Sequence, residues 1–567
     1  MCGIFTLLNT DNNNISYYKV IKEQFYKGKR RGPEYSKIDN FLKSAVGFHR
    51  LAINGLNNES NQPIVYNDIA LICNGEIYNY KKIYEWMNIK PITDSDCEVI
   101  IYLYLKYGIE QTLIMLDGVY SFILFDFRIN DDNTSHVFIA RDPLGVRPLY
   151  KLYNNNSNLF NLYGFASELK CLEHFYNETP DNYYIDQFEP GTYSVFEFKI
   201  NEKWKPLIQN KVYFIPTFPH TRLALDVFDL KESIFYNVSR YLNTAITKRC
   251  NTTERPVACL LSGGLDSSLV AALVSNYFIK KKIQIETYSI GLENSEDIKY
   301  ARIVADYISS KHTEIIVTEK EMFDAIPEVI KAIESYDTTT VRASIGNYLI
   351  GKYIAATSEA KVIFNGDGSD ELFGGYLYMH KCPDDIEFDK ETRRLLKDIY
   401  LFDVLRSDKS ISSNGLEPRT PFLDRSFVNY VLSIPAYFRN HRNFNKAEKY
   451  LLRESFSEKY FCNNKGTSIL PDSILWRKKE AFSDGVSNQG RSLFTILQEY
   501  IASHYDSQNS EAESHKPSIE LEKKYYREIF DKEFPNCQHI LPYFWMPKYT
   551  NATDPSARTL EIYNKSD

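Results

Sequence analysis

No apolar run in the 567 residues approaches the roughly 18 needed to cross a bilayer as a helix. The start of the chain has neither the basic region nor the small-residue cleavage site of a secretory signal. The nine cysteines are Cys2, Cys73, Cys97, Cys171, Cys250, Cys259, Cys382, Cys462 and Cys537. They form no C-x-x-C pair and no Cys/His cluster at zinc spacing, and the ten histidines form no H-E-x-x-H. That excludes a disulfide scaffold and argues against a structural metal, so free thiols in a reducing cytoplasm are expected. Positive charge is not in excess: Lys plus Arg number 67 and Asp plus Glu 74, a net charge of -7. Binding to nucleic acid or to a membrane surface is not indicated. No internal repeat of 20–50 residues is present.

What remains is an ordinary globular composition, 43% hydrophobic and 25% charged, long enough for two or more domains. The first 210 or so residues are dense in short strand-like runs, among them GIFTLLN, SAVGFHRLAI, DIALICNGEIY and YSFILFDF. Two helical patterns intervene, near 15–28 and 96–107. This predicts a sheet-rich α+β layer domain. The stretch 213–221, with two prolines, reads as a linker. Beyond it, helix 230–248, strand PVACLL, a helix to about 278 and strand IETYSIGL follow in turn. Helix DIKYARIVADYIS, strand HTEIIVT, helices at 320–334 and near 345–357, and strand KVIFNG complete the alternation. Such alternation predicts a parallel sheet with right-handed crossovers. From about 388 the chain reads as mainly helical. The polar stretch 504–518 reads as a mobile loop.

Between the strand PVACLL and its helix lies SGGLDSS: Ser262, Gly263, Gly264, Leu265, Asp266, Ser267 and Ser268. Two glycines let backbone N–H groups approach an anion, and the helix N-terminus adds its positive end. Serine hydroxyls can donate, and Asp266 can hold Mg²⁺ against a polyphosphate. The lysine of the G-x-x-x-x-G-K-[ST] loop is absent. The bland alternative is a strand-to-helix turn with Asp and Ser as caps. A second loop, Asn365-Gly366-Asp367-Gly368-Ser369-Asp370-Glu371, also follows an apolar strand. Ligands of open parallel sheets bind beyond the carboxyl ends of the strands, so both loops are expected at one crevice, with Asp370 as a second carboxylate for magnesium.

Cys2 becomes the first residue once Met1 is removed. Its α-amine, with a pKa near 7.7–8.0, can then act as base for its own thiol. Attack on an amide carbonyl needs an oxyanion hole, and Asn74 and Gly75 can supply a side-chain amide and a backbone N–H. Arg50 can anchor a substrate carboxylate bidentately, and Asp96 can accept a substrate ammonium. Taken singly, Arg50 and Asp96 read as surface charges and Cys2 as incidental; it is their combination that points to chemistry.

SGGLDSS resembles the pyrophosphate loop of the N-type ATP pyrophosphatases. With MCGIF, RRGPEYS, HRLAI, NGEIYNY, SDCEVI, ARDPLGVRPLY, YDTTTVRAS, GDGSDELFGGYLY, EPRTPFLD and WRKKEAFSDGV, the chain resembles the glutamine-hydrolysing asparagine synthetases of AsnB type along nearly its whole length. The resemblance implies an N-terminal αββα amidotransferase domain with an N-terminal nucleophile, at 2–212. It implies a parallel α/β ATP-pyrophosphatase domain with added helices at 222–567. Glutamine would be hydrolysed at Cys2 and held by Arg50, Leu51, Ala52, Ile53, Asn54, Asn74, Gly75, Glu76 and Asp96. Ammonia would pass through an internal tunnel, where a dry passage keeps it neutral and nucleophilic. ATP would meet Leu261, the SGGLDSS loop, Ile290, Asn365 and Gly366. Lys479 would neutralise phosphate charge, and Thr339 and Arg342 would hold aspartate. Mg²⁺ would be the cofactor, small molecules the partners, and a homodimer the assembly that the resemblance allows.

This chain departs from the family at three points. The family reads S-G-E-G-S-D-E where Asn365 and Asp367 stand, so the expected catalytic Glu is one methylene short; a reach error of about 1 Å can cost about 100-fold in rate. The family's H-R-G-P-D is Arg30-Arg31-Gly32-Pro33-Glu34 here. Asn54 replaces an apolar residue of the glutamine pocket. Two rival readings stay open: a related amidotransferase acting on another carboxylate, which TVRAS and FSDGV oppose, and an inactive scaffold.

Overall fold

The computed structural model describes every residue except 1, 11–13, 129–133, 155–161, 201, 216–230, 481–484, 488–490, 509–513 and 565–567. Most of the expected linker, and Phe482, Ser483 and Asp484 of FSDGV, lie outside the described residues. The first part of the chain folds into strands β1 (Gly3–Leu8), β2 (Tyr35–Phe41), β3 (Ser44–Arg50), β4 (Ile64–Tyr66), β5 (Ile69–Ile77) and β6 (Gly118–Asp126). These are followed by β7 (Thr134–Arg141), β8 (Tyr150–Asn154), β9 (Tyr163–Ala166), β10 (Tyr183–Gln187), β11 (Thr192–Lys199) and β12 (Lys205–Val212). They pair antiparallel in two six-stranded sheets, β10-β8-β9-β1-β3-β2 and β12-β11-β7-β6-β5-β4.

Period-two alternation puts Ile4 and Leu8 on one face of β1 and Phe5 and Leu7 on the other. Ile4, Leu8, Val46 and Phe48 meet Ala70, Ile72, Ile123 and Phe125 between the sheets. On the outer faces, Ile21 and Phe25 of helix α1 (Ile15–Tyr26) join Phe5 and Leu7. Ile100 and Leu103 of α2 (Val99–Met115) join Leu71 and Cys73. The result is the four-layer αββα arrangement. Helix α2 runs well past the expected 107, and Gly108, at φ 74, breaks its helical path. A helix at Tyr80–Met87 was not expected.

The second half carries a five-stranded, all-parallel sheet of β13 (Val257–Leu260), β14 (Glu286–Gly291), β15 (Lys311–Ile316), β16 (Val362–Phe364) and β17 (Glu417–Arg419), in the order β15-β14-β13-β16-β17. Helix α3 (Leu265–Ile279) follows β13, α4 (Thr338–Thr357) precedes β16, and α5 (Asp403–Ser412) precedes β17. The helix expected at 320–334 is two, Glu319–Asp324 and Ile326–Ile333, the second opened by a proline in its first turn. The helix expected near 345 begins seven residues earlier, where the Asp337 side chain accepts from the Thr340 N–H. Strand β17 sits in the stretch read as helical; three residues are too few for a period to show. Residues 504–508 of the expected loop form the end of helix Leu493–Gln508.

Two apolar clusters cross between the halves, one of them the cluster that holds Phe5 and Leu7. In the other, Leu51, Ile53, Val119, Leu144 and Val146 of the first pack with Cys259, Leu261, Leu265, Phe422 and Leu423 of the second. No helix among the described residues is long and apolar enough to cross a membrane.

Candidate active site

Cys2 precedes β1, a central strand of its sheet. Its N–H donates to Asn74 Oδ1 (3.2 Å), its carbonyl accepts from Arg31 Nε (3.1 Å), and its thiol lies 3.8 Å from the Leu51 carbonyl. Asn74 comes from β5 in the opposite sheet, is fully buried, and donates to Ser167 Oγ at 3.4 Å. At Gly75 a Cβ would lie 2.5 Å from the Val119 carbonyl oxygen, so only glycine fits. Burial pushes the Cys2 thiol up, with the Arg50 charge partly opposing. A neighbouring base is therefore required for attack.

The pocket residues follow β3. Leu51, Ala52 and Ile53 are buried. Ala52 is clamped between the two halves: its N–H donates to Glu34 Oε2 (2.7 Å) and its carbonyl accepts from Arg255 Nε (2.8 Å). Glu34, the departure from the family's Asp, also pairs with Arg255 (2.8 Å) and so ties the pocket to the second half. Arg50 is held by its own loop, donating to the carbonyls of Asn54, Gly55 and Asn57 and to Asn61 Oδ1. Asn54 turns its side chain inward. Its Nδ2 donates to Glu76 Oε2 (2.7 Å) and Asp96 Oδ1 (3.4 Å). Burial, with the Asp96 and Glu417 charges, pushes Glu76 well above the usual carboxylate range, and Arg419 at 3.3 Å opposes. Burial likewise raises Asp96 to about 6 against the N–H of Ile77.

At the carboxyl ends of β13, β14 and β16 opens a cavity of about 210 Å³. Leu261, Ser262, Gly264, Asp266 and Ser267 line it, with Ile290, Asn365, Gly366, Asp367 and Asp370. Gly263, at φ 71, has no room for a side chain, since a Cβ would lie 2.5 Å from Ala301 N. Gly263 and Ser268 sit behind the lining rather than in it. The loop's polar groups satisfy one another: Ser267 Oγ accepts from Ser262 N (3.1 Å) and lies 3.0 Å from Ser262 Oγ.

Above this loop stands a charged cluster. Lys449 Nζ bridges Asp266 Oδ2 (2.5 Å) and Asp370 Oδ1 (2.7 Å), and Lys479 Nζ donates to both Asp370 oxygens (2.8 and 2.7 Å). Burial opposes ionisation of Asp370, but Lys449 and Lys479 outweigh it and hold the carboxyl well below its usual range. Two carboxylates converging on one ammonium form a donor set that also fits a hard divalent cation. Among the described residues no three His, Cys, Asp or Glu side chains form a metal cluster. Such an ion would therefore be held jointly with a polyphosphate, as Mg²⁺ commonly is.

Residues 1–202 match the glutamine amidotransferase domain family, and residues 237–388 and 382–550 match the asparagine synthase family. The asparagine synthetase [glutamine-hydrolyzing] of Gallus gallus is 41% identical over 100% of both chains. Those of Mus musculus and Homo sapiens are 40% and 39% identical, each over 100% of both chains. The chain belongs to the glutamine-hydrolysing asparagine synthetase family.

Of the two residues that the family resemblance suggested for aspartate, Thr339 reaches the cavity and Arg342 does not. Thr339 lines the cavity with Ala343, Asn347 and Ile350, one face of α4, and its buried hydroxyl has no partner among the described residues. Arg342 lies roughly 100° round the helix from that face. Its guanidinium is committed to Glu522 (2.6–2.8 Å) and Asp554 (2.8 Å), so this asparagine synthetase family member does not bring it to the cavity. Removing it would strand two buried carboxylates, a cost on the order of 3–5 kcal/mol. Asp367 does line the cavity, 3.8 Å from Arg406, and Asn365 donates to Ser407 Oγ (2.6 Å), so both family departures face α5. Lys449, Arg406, Asp403, Glu371 and Tyr376 also line the cavity and were not read from the sequence. Lys449 follows no motif; its φ of 58 at a helix start gives no sequence signal.

Proposed function

We propose that this chain makes L-asparagine from L-aspartate, with ATP as energy source and glutamine as nitrogen donor, releasing AMP, pyrophosphate and glutamate. The observation that carries the reading is the pairing, on one chain, of a Cys2–Asn74 centre with a carboxylate–lysine cluster over SGGLDSS, joined by an apolar cluster between the halves. The amidotransferase part is taken as 2–212 and the synthetase part as 222–567. Nine free cysteines support a cytoplasmic setting.

In the first site, removal of Met1 frees the Cys2 amine to take the thiol proton. The thiolate attacks the glutamine carboxamide while Asn74 and Gly75 hold the oxyanion. The C–N bond breaks as the α-ammonium of Cys2 gives its proton to the leaving ammonia, and water then hydrolyses the thioester to glutamate and the free thiol. Arg50 and Asp96 fix the amino-acid end. Ammonia, mostly ammonium in neutral water, stays neutral along the apolar cluster that runs from Leu51 and Ile53 to Leu261 and Leu265. In the second site the β-carboxylate of aspartate attacks the α-phosphorus of ATP, forming β-aspartyl-AMP as pyrophosphate leaves. Ammonia then attacks the acyl carbon and AMP leaves. Ser262, Gly264 and Ser267 orient phosphate oxygens; Lys449 and Lys479 offset their charge. Mg²⁺, held by Asp266 and Asp370 with the phosphates, would supply Lewis-acid stabilisation of the leaving pyrophosphate. Purified protein given ATP, Mg²⁺, aspartate and glutamine should form asparagine, AMP and pyrophosphate in equal amounts; glutamate release without AMP would refute the synthetase half.

A pH prediction follows from Asn54. Asp96 is faced by Glu76, Glu417, Arg419, the Ile77 N–H and the Asn54 amide. Its ionised form is the one that accepts the glutamine ammonium. Glutamine affinity, measured on the Cys2→Ala protein to exclude turnover, should therefore fall as pH drops through about 6. Asn54→Ala removes a donor that favours ionised Glu76 and Asp96, so the decline should move to higher pH. An unmoved decline would show that Asn54 does not govern these carboxyls.

A further inference from the structure

With Arg342 turned away, the cavity holds one arginine within reach of an acceptor at its α4–α5 wall. Arg406 projects from α5, which packs against α4. One of its terminal nitrogens pairs with Asp403 on its own helix; the other lies 3.8 Å from Asp367. Its Nε is buried with no hydrogen-bond partner among the described residues. Thr339 of α4 lines the same cavity, and its buried hydroxyl likewise has no hydrogen-bond partner among the described residues. Unfilled buried donors of this kind are costly unless a ligand fills them. Beside them stands an acidic group. Tyr376 OH donates to Glu371 Oε1 (2.5 Å) and lies 3.5 Å from Asp403 Oδ1. Glu371, Tyr376 and Asp403 all line the cavity, so two carboxyls joined through one phenol are presented to a cation there.

An acceptor reacting through one carboxylate at the phosphate loop must point its other polar groups away from that loop. For an amino dicarboxylic acid these are one anion and one cation. We infer that Arg406, assisted by Thr339, is the specificity-determining residue for the α-carboxylate of the acceptor, and that the Glu371–Tyr376–Asp403 group receives its α-ammonium. The inference rests on the proposed aspartate-activating function and names the side chains that select the acceptor.

The test is ammonia-driven AMP and pyrophosphate release, with L-aspartate and with β-alanine, which lacks only the α-carboxylate. Arg406→Leu should raise the aspartate KM by about 100-fold or more, because a buried group built to pair a substrate charge discriminates strongly. The KM for ATP and the glutaminase rate at Cys2 should stay within about 3-fold, and the preference for aspartate over β-alanine should collapse. Arg406→Lys should recover part of the aspartate affinity; its KM decides the matter if the leucine variant is inactive or misfolded. An aspartate KM within about 3-fold of wild type, or equal losses for both acceptors, would overturn the assignment. Failure of the wild-type protein to release AMP with aspartate would instead refute the function on which it rests.

Discussion

Cys2→Ala is expected to lower glutamine-dependent asparagine synthesis by at least about 1,000-fold, as loss of a covalent nucleophile does elsewhere, while synthesis from added ammonium salts continues at a rate close to wild type. The physical basis is separation of labour. Cys2 touches Asn74, Leu51 and Arg31, none of which lines the cavity of the second half. The side chain is small and partly exposed, so its loss leaves no large void. Parallel assays with glutamine and with ammonium chloride decide the point. Loss of both activities would show that the thiol end of the chain is required by the synthetase, contrary to a two-site protein.

The second large effect concerns Asp266→Asn. The amide is isosteric and can still accept from Ser369 Oγ, which lies 2.8 Å from Asp266 Oδ1. It cannot match the charge of Lys449, nor serve as an anionic ligand to a divalent ion. AMP and pyrophosphate formation should fall by about 10²–10³-fold, the scale of removing one preorganised electrostatic contact. Glutamate release from glutamine should persist, because the Cys2 pocket contains none of these groups. Lys449→Met provides a check on the same cluster: it leaves Asp266 and Asp370 facing each other without their shared ammonium, and should also depress AMP formation. Retention of ATP cleavage in Asp266→Asn would remove this carboxylate from the metal site.

Much of this arrangement was legible because it is local. Strand alternation in GIFTLL encodes which face meets the opposite sheet. SGGLDSS carries its own turn geometry, down to the crowded Gly263. The CNGEIYN stretch places Asn74 and Gly75 together by adjacency alone. What could not be read depends on long-range placement or on helix phase. Lys449 reaches Asp266 across 183 positions of chain. Arg406 belongs to a helix whose sequence, DVLRSDKSIS, shows no motif. TTTVRAS was read as a cluster of ligands, but it is the first two turns of α4. Three residues, just under one turn, separate Thr339, which lines the cavity, from Arg342, which meets Glu522 and Asp554. In the sequence Asn54 shows only as a polar residue at an apolar position; the fold places its amide between Glu76 and Asp96.

Helix α5 has two sets of partners. Arg406 and Ser407 meet Asp367 and Asn365 at the cavity beyond the parallel sheet. Asp408 and Ser412 meet Arg31, at 2.7 and 2.9 Å, and Arg31 in turn holds the Cys2 carbonyl. Lys409 pairs with Glu334 and lies 3.8 Å from Glu168 of the first half. The chain is therefore less modular than its two family matches suggest. A hybrid that grafted the amidotransferase half of one relative onto the synthetase half of another would cut through this helix's contacts, although the splice in sequence lies far from it. The exchangeable unit is the sheet sandwich together with α5 and the loop it braces, so recombination at the linker alone would join parts whose buried charges no longer match.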